Sequence, residues 1–233
     1  MYAEDIQKNV TLIKRNIDEA CRVSGRSTRE VTLMGVTKTV DVDAIREIIS
    51  CGIKDIGESK IQDATRKHSH ISQEVNWHLI GHLQTNKVKH AVQIFDYIHS
   101  VDSVKLARVI SLRAEEIGKT IKIFVEVNVS GEETRYGFSH EDVAPAIEEM
   151  LLMNNIQVVG LMTMAPFTDD PECARPYFKQ LRELKESINA KNSVDKELSE
   201  LSMGMSNDYP VAIEEGATVV RVGTALFEAS SEI

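Results

Sequence analysis

The sequence predicts a single closed (β/α)8 barrel spanning residues 1–233, opened by an amphipathic helix. Three observations carry that reading. Eight short apolar runs recur at 31–37, 53–57, 75–81, 95–100, 121–129, 156–164, 201–205 and 218–223. The segments between them carry helix-capping signals, which is the rhythm of parallel βαβ units. The GxGxxG fingerprint of an open dinucleotide-binding sheet is absent.

Each element has a local reason. Residues 4–23 place Ile6, Val10, Ile13, Ile17, Ala20 and Cys21 at three- and four-residue steps, and Gly25 follows where a helix would stop. After the first strand, 41–50 reads as a helix ending at Gly52, and 103–117 reads as one that starts at Ser103 and ends at Gly118. Ser139 with Asp142 has the form of a capping-box start, and Asp170–Pro171 that of an N-cap followed by proline at the first helical position. A further helix is expected from about Tyr209 to Glu215. No repeat, low-complexity tract or Pro/Gly-rich linker interrupts this series, so the barrel leaves no room for a second domain.

Bulk properties narrow the function classes. A 42% hydrophobic fraction is that of a globular protein with a real core. The net charge of −9, from 36 acidic against 27 basic residues, argues against a nucleic-acid partner, and Lys87, Lys89 and His90 read as a solvated face. Cys21, Cys51 and Cys173 lack any CxxC spacing, which fits a reducing compartment and no zinc site. The acidic amphipathic start is unlike a signal peptide, and no apolar run approaches the roughly 20 residues of a membrane span. The expectation is a cytoplasmic protein with no membrane partner.

In such barrels the functional groups stand at the carboxyl ends of the strands, and phosphate often binds after the seventh and eighth. There the chain has Met203–Gly204–Met205–Ser206–Asn207–Asp208 and Arg221–Val222–Gly223–Thr224. Unpaired N–H groups at a helix start, hydroxyls from Ser206 and Thr224, and close backbone approach at Gly223 would make a phosphate cup. On local chemistry alone, Ser206 and Thr224 are equally ordinary N-caps. Lys38 ends the first strand, which lies beside the eighth in a closed barrel, so its amine is expected next to the cup as a nucleophile toward a carbonyl. An amine and a phosphate site on one mouth suit pyridoxal phosphate, or a sugar phosphate handled by a Schiff-base aldolase.

Other features are weighed against simpler readings. His78 and His82 are four apart, but their segment reads as a strand and lacks the HExxH glutamate, so no metal is expected. Six of the seven histidines fall between 68 and 99 and are read as chance and solvated helix faces, with only His82 kept as a pocket residue at the rim. Met162, Met164, Met203 and Met205 suit core packing, with Met164 and Met205 also placed to line a bound ring. Glu58 fits either a barrel mouth or a helix start.

Ordered blocks along the chain are more specific: Val36–Thr37–Lys38–Thr39, 57–63, 77–87, Val127–Asn128–Val129–Ser130–Gly131–Glu132–Glu133, 160–166 and 201–227. In these the chain resembles the pyridoxal phosphate homeostasis proteins. The resemblance implies a barrel like the N-terminal domain of alanine racemase. It implies Lys38 as the Schiff-base (internal aldimine) lysine, Ser206, Gly223 and Thr224 around the phosphate, and Arg221 facing the pyridine nitrogen, where a guanidinium leaves the ring a weak electron sink. Ser59 stands where the family usually has asparagine, Arg135–Tyr136 departs from its usual loop, and Glu228–Ile233 lacks its arginine-bearing tail. The implied function is intracellular homeostasis of pyridoxal 5′-phosphate by a carrier that is not an enzyme, with apo forms of pyridoxal phosphate enzymes as recipients. The alternative is a pyridoxal phosphate-dependent amino-acid racemase. With no dimerising domain in view, a monomer is expected, and a weak homodimer stays open.

Overall fold

The computed structural model of the chain describes residues 3–132, 134–191 and 197–228. All eight apolar runs form strands: β1 (Thr32–Val36), β2 (Asp55–Glu58), β3 (Asn76–Leu79), β4 (Tyr97–Val101), β5 (Ile121–Glu126), β6 (Ile156–Met162), β7 (Glu200–Met205) and β8 (Val219–Val222). Each pairs in parallel with its neighbour, and β8 returns to β1 to close the barrel in sequence order. The two longest runs overshoot their strands, which end at Glu126 and Met162; after β5, Val127 bridges to Phe138 and leads the chain off the sheet into a loop.

The strands are apolar on both faces because both faces are covered. Ile56, Leu79, Ile98, Ile123, Leu161 and Val220 belong to the large core shared with the helices, while Met34, Phe124, Val159, Met162 and Val219 form a separate cluster. The helices are α1 (Ala3–Ser24), α2 (Val42–Ser50), α3 (Ile61–His68), α4 (Val88–Ile94), α5 (Val104–Glu115), α6 (Val143–Leu151), α7 (Arg175–Lys191), α8 (Tyr209–Glu214) and the single turn α9 (Thr224–Phe227).

The caps follow the sequence closely. Asp41 accepts from Ala44 N at 3.0 Å, Ser103 from Leu106 N at 3.3 Å and Asp170 from Glu172 N at 3.0 Å. The expected stops Gly25, Gly52 and Gly118 all adopt positive φ, at 70°, 88° and 65°. The capping box at Ser139 is a correction. Ser139 does accept from Asp142 N, but the Asp142 carboxylate returns to the Ser139 hydroxyl and not to its backbone, and α6 starts one residue beyond Asp142.

Helix α1 completes the outer layer. It packs against α8, α9 and α2, the place a full helix after β8 would take. Its stripe Ile6, Val10, Ile13, Ile17, Ala20 and Cys21 is buried, and each large apolar side chain there contributes about 1.5–3 kcal/mol relative to exposure. Asn9 fastens it to the carboxyl end of the barrel by donating to the carbonyls of Leu226 (3.1 Å) and Glu228 (2.9 Å). No helix among the described residues is long and apolar enough to cross a membrane.

Candidate functional site

The first, seventh and eighth strands bring Lys38 and the cup residues to one side of the mouth. The β1 ladder continues one residue past the strand, with Thr37 N donating to Gly57 O at 2.9 Å, and Lys38 follows as an exposed side chain. Gly35 pairs with Val222, so the ends of β1 and β8 adjoin. Gly223 packs so closely on β1 that a β-carbon there would lie 3.3 Å from both Cβ and O of Val36.

Ser206 ties β7 to β8: its hydroxyl oxygen accepts from Gly223 N at 3.2 Å and Ala225 N at 3.3 Å. The N–H groups of Ser206, Asn207 and Thr224 meet no acceptor among the described residues, so they remain available to an anion. The turn that places them depends on Gly204, whose φ is 89° and whose missing β-carbon would lie 2.6 Å from Ala212 Cβ and 3.0 Å from Tyr209 Cα. Asp208 closes the turn by accepting from Met205 N at 2.6 Å; burial raises its carboxyl above the ordinary range, against the pull of that bond and of the Arg221 charge.

Arg221 is 5% exposed, and its guanidinium is turned into the barrel. Nη1 donates to the carbonyl and the hydroxyl oxygen of Ser202, both at 2.7 Å, and Nη2 donates to Thr163 O at 2.7 Å, just beyond β6. None of these bonds uses Nε. Burial lowers its pKa to about 10, with Asp208 and Glu126 opposing, so the group stays charged at neutral pH.

Behind Arg221 lie residues that sequence reasoning missed. His78 and His99 are 2% and 0% exposed, inside the barrel and not on solvated helix faces. They alternate with Trp77, Leu79 and Ile98, which belong to the core shared with the helices, so period-two alternation in a strand buried on both faces was the available signal. Both ring nitrogens of His78 are engaged, Nε2 with Asp55 at 3.0 Å and Nδ1 with His99 at 2.9 Å. No cluster of metal-ligating side chains occurs among the described residues.

Glu58 is buried between β2 and α3. It accepts from the Thr37 hydroxyl at 2.6 Å and from Lys67 Nζ at 2.7 Å, and Lys67 also donates to Thr37 O at 2.6 Å. This buried pair grips the residue directly before Lys38.

Glu126, at the carboxyl end of β5, is raised to about 7, first by burial and then by Asp102, with Arg221 opposing. A carboxyl raised in the folded state adds stability that is complete below its unfolded value and is lost as pH rises through about 7. Glu126→Gln removes that ionisation and should stabilise the protein by up to about 3 kcal/mol at pH 8 but hardly at pH 4. Denaturant melts at the two pH values check this, and an equal difference at both would contradict it.

The remaining candidates are more dispersed. Met205 pairs in register with Arg221 beside the cup. Ser59 is half-buried on the β2 loop, so close to the β3 loop that a β-carbon on Gly81 would lie 2.2 Å from its carbonyl oxygen. His82 is exposed on that β3 loop, 3.3 Å from Asp102 and stacked on Tyr136 at 4.0 Å. Met164, 45% exposed, accepts through its carbonyl from Arg135 Nη1 at 2.9 Å. Ser59, His82 and Met164 make no hydrogen bond to the cup among the described residues. Residues 229–233, which include most of the tail singled out above, lie outside the described residues.

Fold and mouth together define a class: closed (β/α)8 barrels that present a lysine amine beside an anion-accepting turn, where first and last strands meet. The family model for the alanine racemase N-terminal domain matches residues 9–231. The pyridoxal phosphate homeostasis protein of Aquifex aeolicus is 42% identical over 221 residues, 94% of this chain and 96% of its own. The chain belongs to the pyridoxal phosphate homeostasis protein family. PipY of Synechococcus elongatus, solved with pyridoxal phosphate bound, superposes with a TM-score of 0.81 at 33% identity, covering 91% of this chain and all of PipY. Alanine racemase of Clostridium difficile shares the fold, with a TM-score of 0.73 at 14% identity over 98% of this chain and 58% of the racemase.

Proposed function

We propose that this protein binds pyridoxal 5′-phosphate and serves its intracellular homeostasis, with the Lys38 amine holding the aldehyde carbon and the turn at Ser206, Gly223 and Thr224 holding the phosphate. The observation that carries the reading is the adjacency of the β1 and β8 ends, which sets an exposed amine beside backbone donors without protein acceptors. The residues present fit the cofactor in charge and in kind. Bound there, pyridoxal phosphate supplies an aldehyde that can pass between amines.

The chain's own groups favour holding over turnover. Arg221, charged and locked by three bonds, disfavours a second positive charge on a nearby pyridine ring. The names of the curated relatives also describe homeostasis and not a reaction. We place the protein in the cytoplasm as a one-domain monomer that passes its cofactor to apo-enzymes.

The deciding experiment is addition of pyridoxal phosphate, borohydride reduction and peptide mapping. Visible absorbance should appear on addition, and the reduced adduct should map to Lys38; an adduct on another lysine overturns the assignment. For the cup, Ser206→Ala and Thr224→Ala should each weaken affinity by about 1.5–3 kcal/mol at most, the scale of hydrogen bonds to a charged group. Pyridoxal without phosphate should bind poorly, and equal affinity for the two compounds would remove the cup from the account.

A further inference from the structure

The barrel interior holds a continuous polar line of which the proposed function uses only the Arg221 end. It begins at Asp55, the first residue of β2, and crosses to Arg221 in β8, whose head reaches the carboxyl end of β6. The contacts are Asp55 Oδ1 to His78 Nε2 at 3.0 Å, His78 Nδ1 to His99 Nε2 at 2.9 Å, His99 Nδ1 to Ser202 Oγ at 2.9 Å, and Ser202 Oγ to Arg221 Nη1 at 2.7 Å. His78, His99, Ser202 and Arg221 are all buried.

The ends fix the direction of every proton. Arg221 can only donate, so Ser202 accepts from it and has its own proton to give to His99 Nδ1. His99 then carries its proton on Nε2 and donates to His78 Nδ1, and His78 in turn carries its proton on Nε2 and donates to Asp55. Each ring carries a single proton in this order, in keeping with His99, which burial above all, helped by the Arg221 charge, pushes well below the ordinary histidine range. The opposite order would make Ser202 accept from both neighbours and leave its proton with no acceptor among the described residues. Stacking of His78 on Tyr97 (4.3 Å) and of His99 on Phe124 (4.1 Å) holds the ring planes. Asp55 is itself steadied: burial raises its carboxyl, but the bonds from His78 and Asn76 and the charge of Lys122 bring it below the ordinary value.

We propose that Asp55, His78, His99 and Ser202 are positioning residues, forming a one-way hydrogen-bonded chain through the barrel that fixes how Arg221 presents its charge at the mouth and thereby sets the grip on the cofactor. The chain stands on its own contacts, and only its effect on the cofactor rests on the function proposed above. Its consequence is that ligand affinity depends on a side chain at the far end of β2.

Two measurements test it. In the protein without added cofactor, ¹⁵N NMR of the imidazoles should show His78 and His99 each as the single tautomer protonated on Nε2; a proton on Nδ1 of His99 overturns the chain. Ser202→Ala should break that single tautomer at His99 and raise the dissociation constant for pyridoxal phosphate by roughly 3- to 10-fold, the effect of freeing one charged hydrogen bond. The Lys38 adduct should still form at saturation. Asp55→Asn, which keeps an acceptor at Oδ1, serves as the conservative variant and should preserve the His99 tautomer. Unchanged affinity in Ser202→Ala, with the variant shown to be folded by its melting curve, also overturns the proposal. Failure of the parent protein to take up cofactor on Lys38 would instead fall on the proposed function, and the tautomers would still decide the chain.

Discussion

Lys38→Ala is expected to abolish borohydride-trappable pyridoxal phosphate completely while changing stability by less than about 0.5 kcal/mol. The side chain is exposed and follows the last ladder bond of β1, so its removal opens no cavity and strands no partner. The cup remains, and the variant should therefore retain weak, phosphate-dependent binding that reduction does not fix. Lys60→Ala is the control: it removes an exposed amine from the adjoining β2 loop and should leave trapping intact. Loss of trapping in both variants would point to the general charge of the mouth and not to Lys38.

The second large effect is on folding. Lys67→Met should cost about 3–5 kcal/mol, because it leaves Glu58 buried with its charge uncompensated. The Oε2 atom of Glu58 already finds no hydrogen-bond partner among the described residues, so no reserve of hydrogen bonds absorbs the loss. The double variant Glu58→Gln, Lys67→Met removes the charge together with its partner and should recover most of that cost, since glutamine can still accept from the Thr37 hydroxyl. Equal denaturation midpoints for the single and double variants would show that the two groups are not coupled.

The sequence made the scaffold legible where a residue's role is local. The eight strands came from apolar runs, and the stops at Gly25, Gly52 and Gly118 from the one residue type that enters the left-handed region freely. Helices α3 and α4 left no such trace, because Lys60 and Lys87 stand at their N-caps without a side-chain cap bond. Lys38 and the cup could be placed because barrel closure dictates that the first and last strands meet. The interior line and the Glu58–Lys67 pair depend on partners far apart in sequence, with Ser202 lying 103 residues beyond His99. Strand alternation could have turned His78 and His99 inward, but nothing short of the folded barrel joins them to Arg221.

The position of the proposed site has a consequence for the integrity of the ring. The lysine follows β1 and the cup stands at the ends of β7 and β8, so a cofactor held by both spans the seam at which the chain's two ends must find each other. Every other strand contact is made between sequence neighbours, whereas this one closes only when the last strand arrives. Pyridoxal phosphate would then work as a clasp, engaging only a completed barrel and resisting its reopening at the point of greatest sequence separation. Uptake of the cofactor would report that the ring has closed, and its release would return the seam to the β1–β8 ladder and the packing of α1 on α8 and α9.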